Sequence, residues 1–301
     1  REKARATLHY LQKIKESDDP NGDRMELQII LDTLDSALLG DDVETDEDIA
    51  RQLKASRYLL GFQDFDRDIG GVAAVGLNLI AARPSVGKSA FARAIIRNKA
   101  KSQRIFWYSQ DQSKGQIFEL EIARAAKVNS SQVREWDEDK IIKSVRWVRQ
   151  KVWHGNVTLI DKPLKINDLT SMINQAMPQA VFIDYAQIID AGFSEDYQNI
   201  TAVSKALKSL AFKHHIPVFA LAQFNREHKD GLQPSLKWLK GSGQLEQDAD
   251  TVLALDRDTA SNDPNATLFI LKNKVGPTGK VPLSWEGKYA SFEDAHVGGF
   301  R

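Results

Sequence analysis

Short apolar runs alternate along the chain with longer stretches in which apolar residues recur at helical spacing. The runs are Leu77–Ala81, Ile105–Ser109, Val157–Ile160, Ala180–Ile183, Pro217–Ala222, Thr251–Leu255 and Thr267–Leu271. Most lack polar alternation, which is the pattern of strands buried on both faces of a parallel sheet. Between them, helices are predicted from Ala90 to Ile96, from Ser113 to Ala126 and over 137–152. Two more are predicted from Asn167 as a cap to Met177 and from Asn199 to His215. Ser113 with Gln116 has capping-box spacing. In 137–152, Ile141, Ile142, Val145, Val148 and Val152 fall along one side, and the intervening charges read as a solvated face. Val281–Trp285 returns after the turn at Lys272–Gly279 as the second strand of a hairpin. This order predicts an α/β fold. Its core is a doubly wound, mostly parallel sheet with helices on both faces, closed on one side by a C-terminal hairpin.

The first part of the chain has a different pattern. Residues 1–17 place Ala4, Leu8, Leu11 and Ile14 at helical spacing, and Asp18–Gly22 breaks the pattern. A second helix begins at Asp23, with Glu26 completing a capping box, and carries the stripe Leu27, Ile30, Leu31, Leu34 and Leu38 up to Gly40. That stripe needs an apolar partner, either within an αα-hairpin of this chain or on a neighbouring subunit. The acidic run 41–48 reads as a linker. The expected division is a short helical N-terminal segment, 1–50, and a larger domain, 51–301.

Composition narrows the class. The chain is 42% hydrophobic, enough for a sizeable core, and contains no cysteine. Disulfides and thiolate metal sites are therefore excluded, and a cytoplasmic setting is expected. No apolar run reaches 18 residues and no signal peptide is visible, so no membrane association is expected. Forty-one basic residues balance 41 acidic ones, so any attraction to nucleic acid must come from a local patch. The chain starts at Arg1 rather than Met, as expected for a piece of a longer protein.

The richest stretch is Ala82-Arg83-Pro84-Ser85-Val86-Gly87-Lys88-Ser89-Ala90, set between a buried strand and a helix. Strand, Gly-containing loop, Lys-Ser and helix is the layout of a phosphate-binding P-loop. Backbone N–H groups point at the phosphates, and Gly87 permits close approach. Lys88 reaches the β- and γ-phosphates, and the Ser89 hydroxyl ligates Mg²⁺. Ala82 stands where the motif begins with Gly. Asp184 ends an apolar strand, as a Walker B carboxylate does when it is delivered to Mg²⁺. Asp111 follows another strand and would sit at the carboxyl edge of the sheet. It is a candidate to orient the attacking water, or it is only a charge near a helix N-terminus. Gln223 ends a strand and can sense the γ-phosphate. Residues 227–243 mix Lys229, Lys237 and Lys240 with Gly231, Gly241 and Gly243, which suits either DNA phosphates or a plain surface loop. Lys272 and Lys274 share a face of an extended segment and point either at a neighbour's phosphate or at solvent. Gly70-Gly71, ahead of the P-loop strand, suggests a tight turn over the nucleotide site.

In order, these motifs resemble the RecA-like ATPase domain of the DnaB-type replicative helicases, over roughly residues 58–292. Leu60-Gly61-Phe62 through Gly71 looks like the family's lead-in, and Ala82–Ser89 like its Walker A, including Arg-Pro-Ser. Asp184-Tyr185-Ala186-Gln187, Gln223-Phe224-Asn225-Arg226 and Ser242–Asp250 are similar to three further blocks. Lys272-Asn273-Lys274 with Gly276-Pro277-Thr278-Gly279 is similar to a fourth. The resemblance implies a homo-hexameric ring that hydrolyses ATP with Mg²⁺ at subunit interfaces. It implies 5′ to 3′ movement on single-stranded DNA at a replication fork, and primase and a helicase loader as partners. It also implies that Lys88 holds the β/γ-phosphates, Ser89 and Asp184 serve Mg²⁺, and Asp111 occupies the catalytic glutamate position. Gln223 becomes the γ-phosphate sensor, Lys240, Gly241 and Gly243 the DNA loop, and Lys272 and Lys274 residues acting in trans. The leucine stripe at 27–38 would correspond to a linker helix that packs on the next subunit.

Three positions depart from the family pattern. Asp111 stands for Glu and is one methylene shorter. Lys274 stands for the arginine finger and lacks its planar fork. Lys240 stands for an Arg in the DNA loop. Residues 1–50 are too few for the family's N-terminal collar domain, which suggests truncation or a divergent phage or mobile-element form. Two other functions fit the same residues: a weakly hydrolysing ATP-binding ring or scaffold, and a recombinase-like ATPase. No base-reading residue can be named from the sequence.

Overall fold

A computed structural model describes residues 56–224, 233–239, 243–261 and 263–295. The helices expected within 1–38, the linker at 41–48, and Lys229, Gly231, Lys240 and Gly241 lie outside the described residues. In chain order the elements are β1 (Arg57–Tyr58), α1 (Gln63–Asp68), β2 (Val72–Ala73), β3 (Gly76–Ala82), α2 (Lys88–Ala100), β4 (Ile105–Ser109) and α3 (Lys114–Ala126). Next come α4 (Ser130–Val133), α5 (Glu138–Trp147), β5 (Val157–Ile160), α6 (Ile166–Ala176), β6 (Ala180–Asp184), α7 (Asp196–His214) and β7 (Pro217–Gln223). The last are α8 (Gly243–Asp248), β8 (Thr251–Arg257), β9 (Asn265–Asn273), β10 (Gly279–Glu286) and β11 (Ser291–Asp294).

The main sheet has the order β11-β10-β9-β8-β3-β7-β6-β4-β5. The strands from β8 to β5 pair in parallel, and β8 to β11 pair antiparallel as the C-terminal extension. The expected α/β architecture is therefore the observed one. Alternation within each strand sorts side chains into two cores. Ile80, Trp107, Phe182, Phe219 and Leu253 face α2 and α3. Leu79, Phe106, Ile183, Ala220 and Val252 face α6, α7 and α8. β3, β4 and β6 are buried along their full length, which is why their sequences show no polar alternation.

Several boundaries differ from those expected. α6 starts at Ile166 with Lys165 at the cap position, so Asn167 lies inside the helix; its carbonyl accepts from the Thr170 and Ser171 hydroxyls. α7 begins at Asp196, not Asn199. The Asn199 side chain instead bonds the Ile189 carbonyl and the Ala191 N–H, holding the chain that follows β6. The predicted helix over 137–152 is α5 followed by one π-helical turn, Val148–Val152. On its apolar side Val148 is buried, whereas Ile142 is 40% exposed. The Ser113–Gln116 capping box forms as read.

The Gly70-Gly71 turn is not over the nucleotide site. It leads into β2, which pairs with β1 ahead of β3, and the Gly71 carbonyl accepts from Asn273. This places the turn at the amino edge of β3, a full strand length from the P-loop at the carboxyl edge. Both glycines have positive φ, and a Cβ on Gly71 would lie 2.8 Å from the Tyr58 carbonyl oxygen. The glycines therefore serve the tight pairing of β1 with β2.

Candidate functional site

β3 carries the chain to Ala82, the backbone turns through 83–87, and α2 starts at Lys88. Gly87 has φ 115°, and a Cβ there would lie 2.9 Å from Phe292 and 3.1 Å from Trp285. Gly is thus required twice, by backbone conformation and by an aromatic floor that β10 and β11 push beneath the loop. Arg257, at the end of β8, donates to the Ser85 and Val86 carbonyls at 2.9 Å each and stacks 4.3 Å over the Trp285 ring. Arg83 pairs with Asp256 at 3.0 Å. The P-loop is held open by contacts from residues far along the chain.

Asp184 ends β6, adjacent to the end of β4, where Ser109 pairs with it in register. It is 1% exposed, and neither carboxylate oxygen accepts a hydrogen bond of good geometry within the protein. Burial, with Asp111 adding, pushes its pKa up to about 6; the facing Ser89 hydroxyl, Lys88 and Arg93 oppose the rise. Lys88 is pulled below the usual lysine range by burial, and Asp184 and Asp111 counter that. A buried acid with no hydrogen bond of good geometry, beside a half-buried ammonium and a hydroxyl, fits a hard cation completed by phosphate oxygens and water, the usual coordination of Mg²⁺. Among the described residues no group of three or more His, Cys, Asp or Glu could hold a metal by itself, so Ser89 and Asp184 would share the ion with a nucleotide.

Asp111 sits at the tip of a turn in which the Ser109 hydroxyl donates to the Gln112 carbonyl at 2.9 Å. It faces a cavity of about 300 Å³ together with Ser85, Lys88, Ser89, Arg93 and Trp285. The structure therefore brings Ala82–Ala90, Lys88, Ser89, Asp111 and Asp184 to one end of the sheet. Gln223 ends β7 in register with Ala82, and its exposed side chain does not line the cavity. Gly243 opens α8.

Lys272 and Lys274 lie elsewhere, at the amino edge of the sheet. Lys274 Nζ is 2.7 Å from Asp250 Oδ1, and Asp250 also accepts from the Leu77 N–H at the start of β3. Lys272 donates to the Glu246 and Gln247 carbonyls. The two lysines therefore cannot serve the P-loop of their own chain. Lys274 is 50% exposed and so open to another molecule, whereas Lys272 braces the end of α8. Arg93, Arg257 and Trp285 went unnoticed in the sequence, since only tertiary pairing puts them at the loop.

The raised Asp184 pKa predicts a pH effect with a definite sign. The folded chain holds a proton on Asp184 between about pH 4 and 6 that the unfolded chain has released. Stability is therefore lost as pH rises through this window, by at most about 3 kcal/mol once Asp184 is fully ionised. Asp184→Asn should raise the melting temperature of the nucleotide-free protein at pH 8 and leave it nearly unchanged at pH 4.5. Equal shifts at both values would show that burial does not perturb this carboxylate.

Residues 59–294 match the family described as DnaB-like helicase C-terminal domain. The replicative DNA helicase DnaB of Haemophilus influenzae is 30% identical over 259 residues, which cover 78% of this chain and 54% of that relative. The chain spans about half the length of the curated relatives it matches. Among solved structures, the ATPase domain of G40P aligns with TM-score 0.73 and 26% identity, covering 85% of this chain and 100% of that one. A DnaB-like replicative helicase, described with its interactions with primase, aligns with TM-score 0.73 and 25% identity, covering 97% and 76%. Among the described residues no helix is long and apolar enough to cross a membrane.

Proposed function

Because the chain belongs to the family of DnaB-like helicase C-terminal domains, we propose that it is the ATP-hydrolysing motor of a ring-forming replicative DNA helicase. The observation that carries this proposal is the division of the site. Lys88, Ser89, Asp111 and Asp184 converge at the carboxyl edge of the sheet, while the exposed Lys274 stands at the amino edge. On this reading one chain carries two half-sites at opposite edges of the sheet, each completed by another copy. A closed ring, a homo-hexamer as in the resemblance, satisfies every half-site.

In this proposal, residues 51–301 form the motor and residues 1–50 a helical segment ahead of it. The P-loop N–H groups and Lys88 bind the phosphates, with Ser89 and Asp184 holding Mg²⁺. The metal would neutralise charge on the β- and γ-oxygens. Asp111 orients and polarises the attacking water, Gln223 senses the γ-phosphate across the strand end, and Lys272 and Lys274 act in trans on the neighbour's nucleotide. Lys240, Gly241 and Gly243 follow the backbone of single-stranded DNA. Primase and a loader are the expected protein partners, and the replication fork in the cytoplasm the expected setting.

The test is strand displacement by the assembled protein on a forked duplex with a 5′ single-stranded tail, with and without ATP. ATP-dependent displacement supports the motor. ATP binding and ring assembly without displacement would favour the second reading, a weakly hydrolysing ring or scaffold, which the shorter Asp111 and the forkless Lys274 recommend. Family membership speaks against the recombinase-like alternative.

A further inference from the structure

Beside the P-loop lies a buried guanidinium whose hydrogen bonds its surroundings do not complete. Arg93 is 2% exposed and stands four residues after Ser89 on α2, on the same helical face. Long helical side chains run back toward the helix N-terminus, here toward the phosphate-binding turn. Arg93 lines the cavity shared by Ser85, Lys88, Ser89 and Asp111. Its Nε lies 3.4 Å from Glu121 Oε1, and Arg97 takes the same oxygen at 2.8 Å. Glu121 is itself buried. Arg124, on the far side, pairs with Glu293. Two buried guanidiniums therefore share one carboxylate.

The hydrogen bonds of Arg93 are also incomplete. One terminal nitrogen donates to the Ala290 carbonyl, the other is 3.5 Å from Gln112 Oε1, and Nε has no partner of good geometry. Burial pulls the pKa of Arg93 down to about 10, so it stays charged at neutral pH. A purely structural ion pair would match each guanidinium with a carboxylate, because an unmatched buried charge is costly. The other acid acting on Arg93 is Asp184, which a bound cation would engage; a phosphate chain in the shared cavity would then supply the anionic partner.

We propose that Arg93 binds the nucleotide from within its own subunit, as a fixed counter-charge to the phosphate chain. The inference rests on the nucleotide-binding reading of the P-loop and adds a residue that the motif does not contain. It gives the site a guanidinium in cis where the trans position has only Lys274. An arginine suits this place because it keeps its charge on burial and offers several donors in a fixed plane.

The experiment compares the full chain with Arg93→Met and Glu121→Gln. Each is melted without nucleotide and titrated with MgADP, which lacks the γ-phosphate and so isolates the cis half-site. Arg93→Met should bind MgADP about tenfold or more weakly while its nucleotide-free melting temperature holds or rises. Glu121→Gln takes from both guanidiniums the carboxylate they share. Its nucleotide-free melting temperature should fall while its MgADP-induced rise in melting temperature grows. A packing role instead lowers melting temperature in both variants and leaves affinity within about twofold; that result overturns the proposal alone. If the unaltered chain binds MgADP no better than Lys88→Ala, the P-loop reading falls as well.

Discussion

Lys88→Ala is expected to reduce ATP hydrolysis at least about 100-fold, the usual cost of removing one fixed charge aimed at a developing negative charge. Lys88 is half-buried, and this partial desolvation lowers its pKa, with Asp184 and Asp111 as its opposing charges. A charge kept away from water acts on a phosphate through a weakly screening medium, so its effect exceeds that of a surface lysine. The loss should come without unfolding, because the substitution removes a half-buried charge and leaves Gly87 and its aromatic floor in place. Steady-state hydrolysis with and without single-stranded DNA, alongside a thermal melt, checks both halves. Turnover within a few-fold of the unaltered chain, together with an intact melt, would sink the assignment of Lys88.

Lys274→Ala should have an effect of similar size by a different route. A finger residue in phosphoryl transfer contributes about 10³-fold or more. Lys274 supplies the charge without the planar fork, so the loss here should fall below that figure. The same reasoning predicts that Lys274→Arg turns over faster than the unaltered chain, because a bidentate guanidinium replaces a point charge. The trans assignment has its own test. Mixing the Lys88→Ala and Lys274→Ala chains creates interfaces in which both half-sites are intact. Hydrolysis above that of either variant alone is expected, and none above it would place Lys274 outside the neighbour's site. The Asp250 ion pair requires a stability control, since Lys274→Ala removes one of its partners.

The altered residues divide by what they touch. Asp111 lines the cavity beside Lys88 and Ser89. The block Gln244–Asp250, recognised by its letters, has a physical role in the structure. Asp250 ties the start of β3 to Lys274, and Asp248 accepts from Ser204 at 2.7 Å and Gln244 at 2.9 Å. That network fixes where the exposed lysine stands relative to the sheet.

The sequence by itself determined the parallel core and the P-loop. Strands buried on both faces need unbroken apolar runs, and Ala180–Asp184 and Pro217–Gln223 could be read directly for that reason. The P-loop was legible because its pattern is local: the glycine, lysine and serine of the motif are neighbours in the chain. β1 and β2 are not legible, being two residues each, and β11, Ser291–Asp294, has a single large apolar residue among polar ones rather than an apolar run. The Gly70-Gly71 turn, expected over the nucleotide site, precedes β3 and so lies at its amino end, whereas the P-loop follows β3 at the carboxyl end. Only the tertiary structure decided that Arg257, Trp285 and Phe292 support the loop, that Lys272 and Lys274 turn away from it, and that Arg93 and Arg97 share Glu121. Each depends on residues far apart in sequence meeting across the sheet. Charge balance, exposure and pKa belong to that meeting and not to the letters.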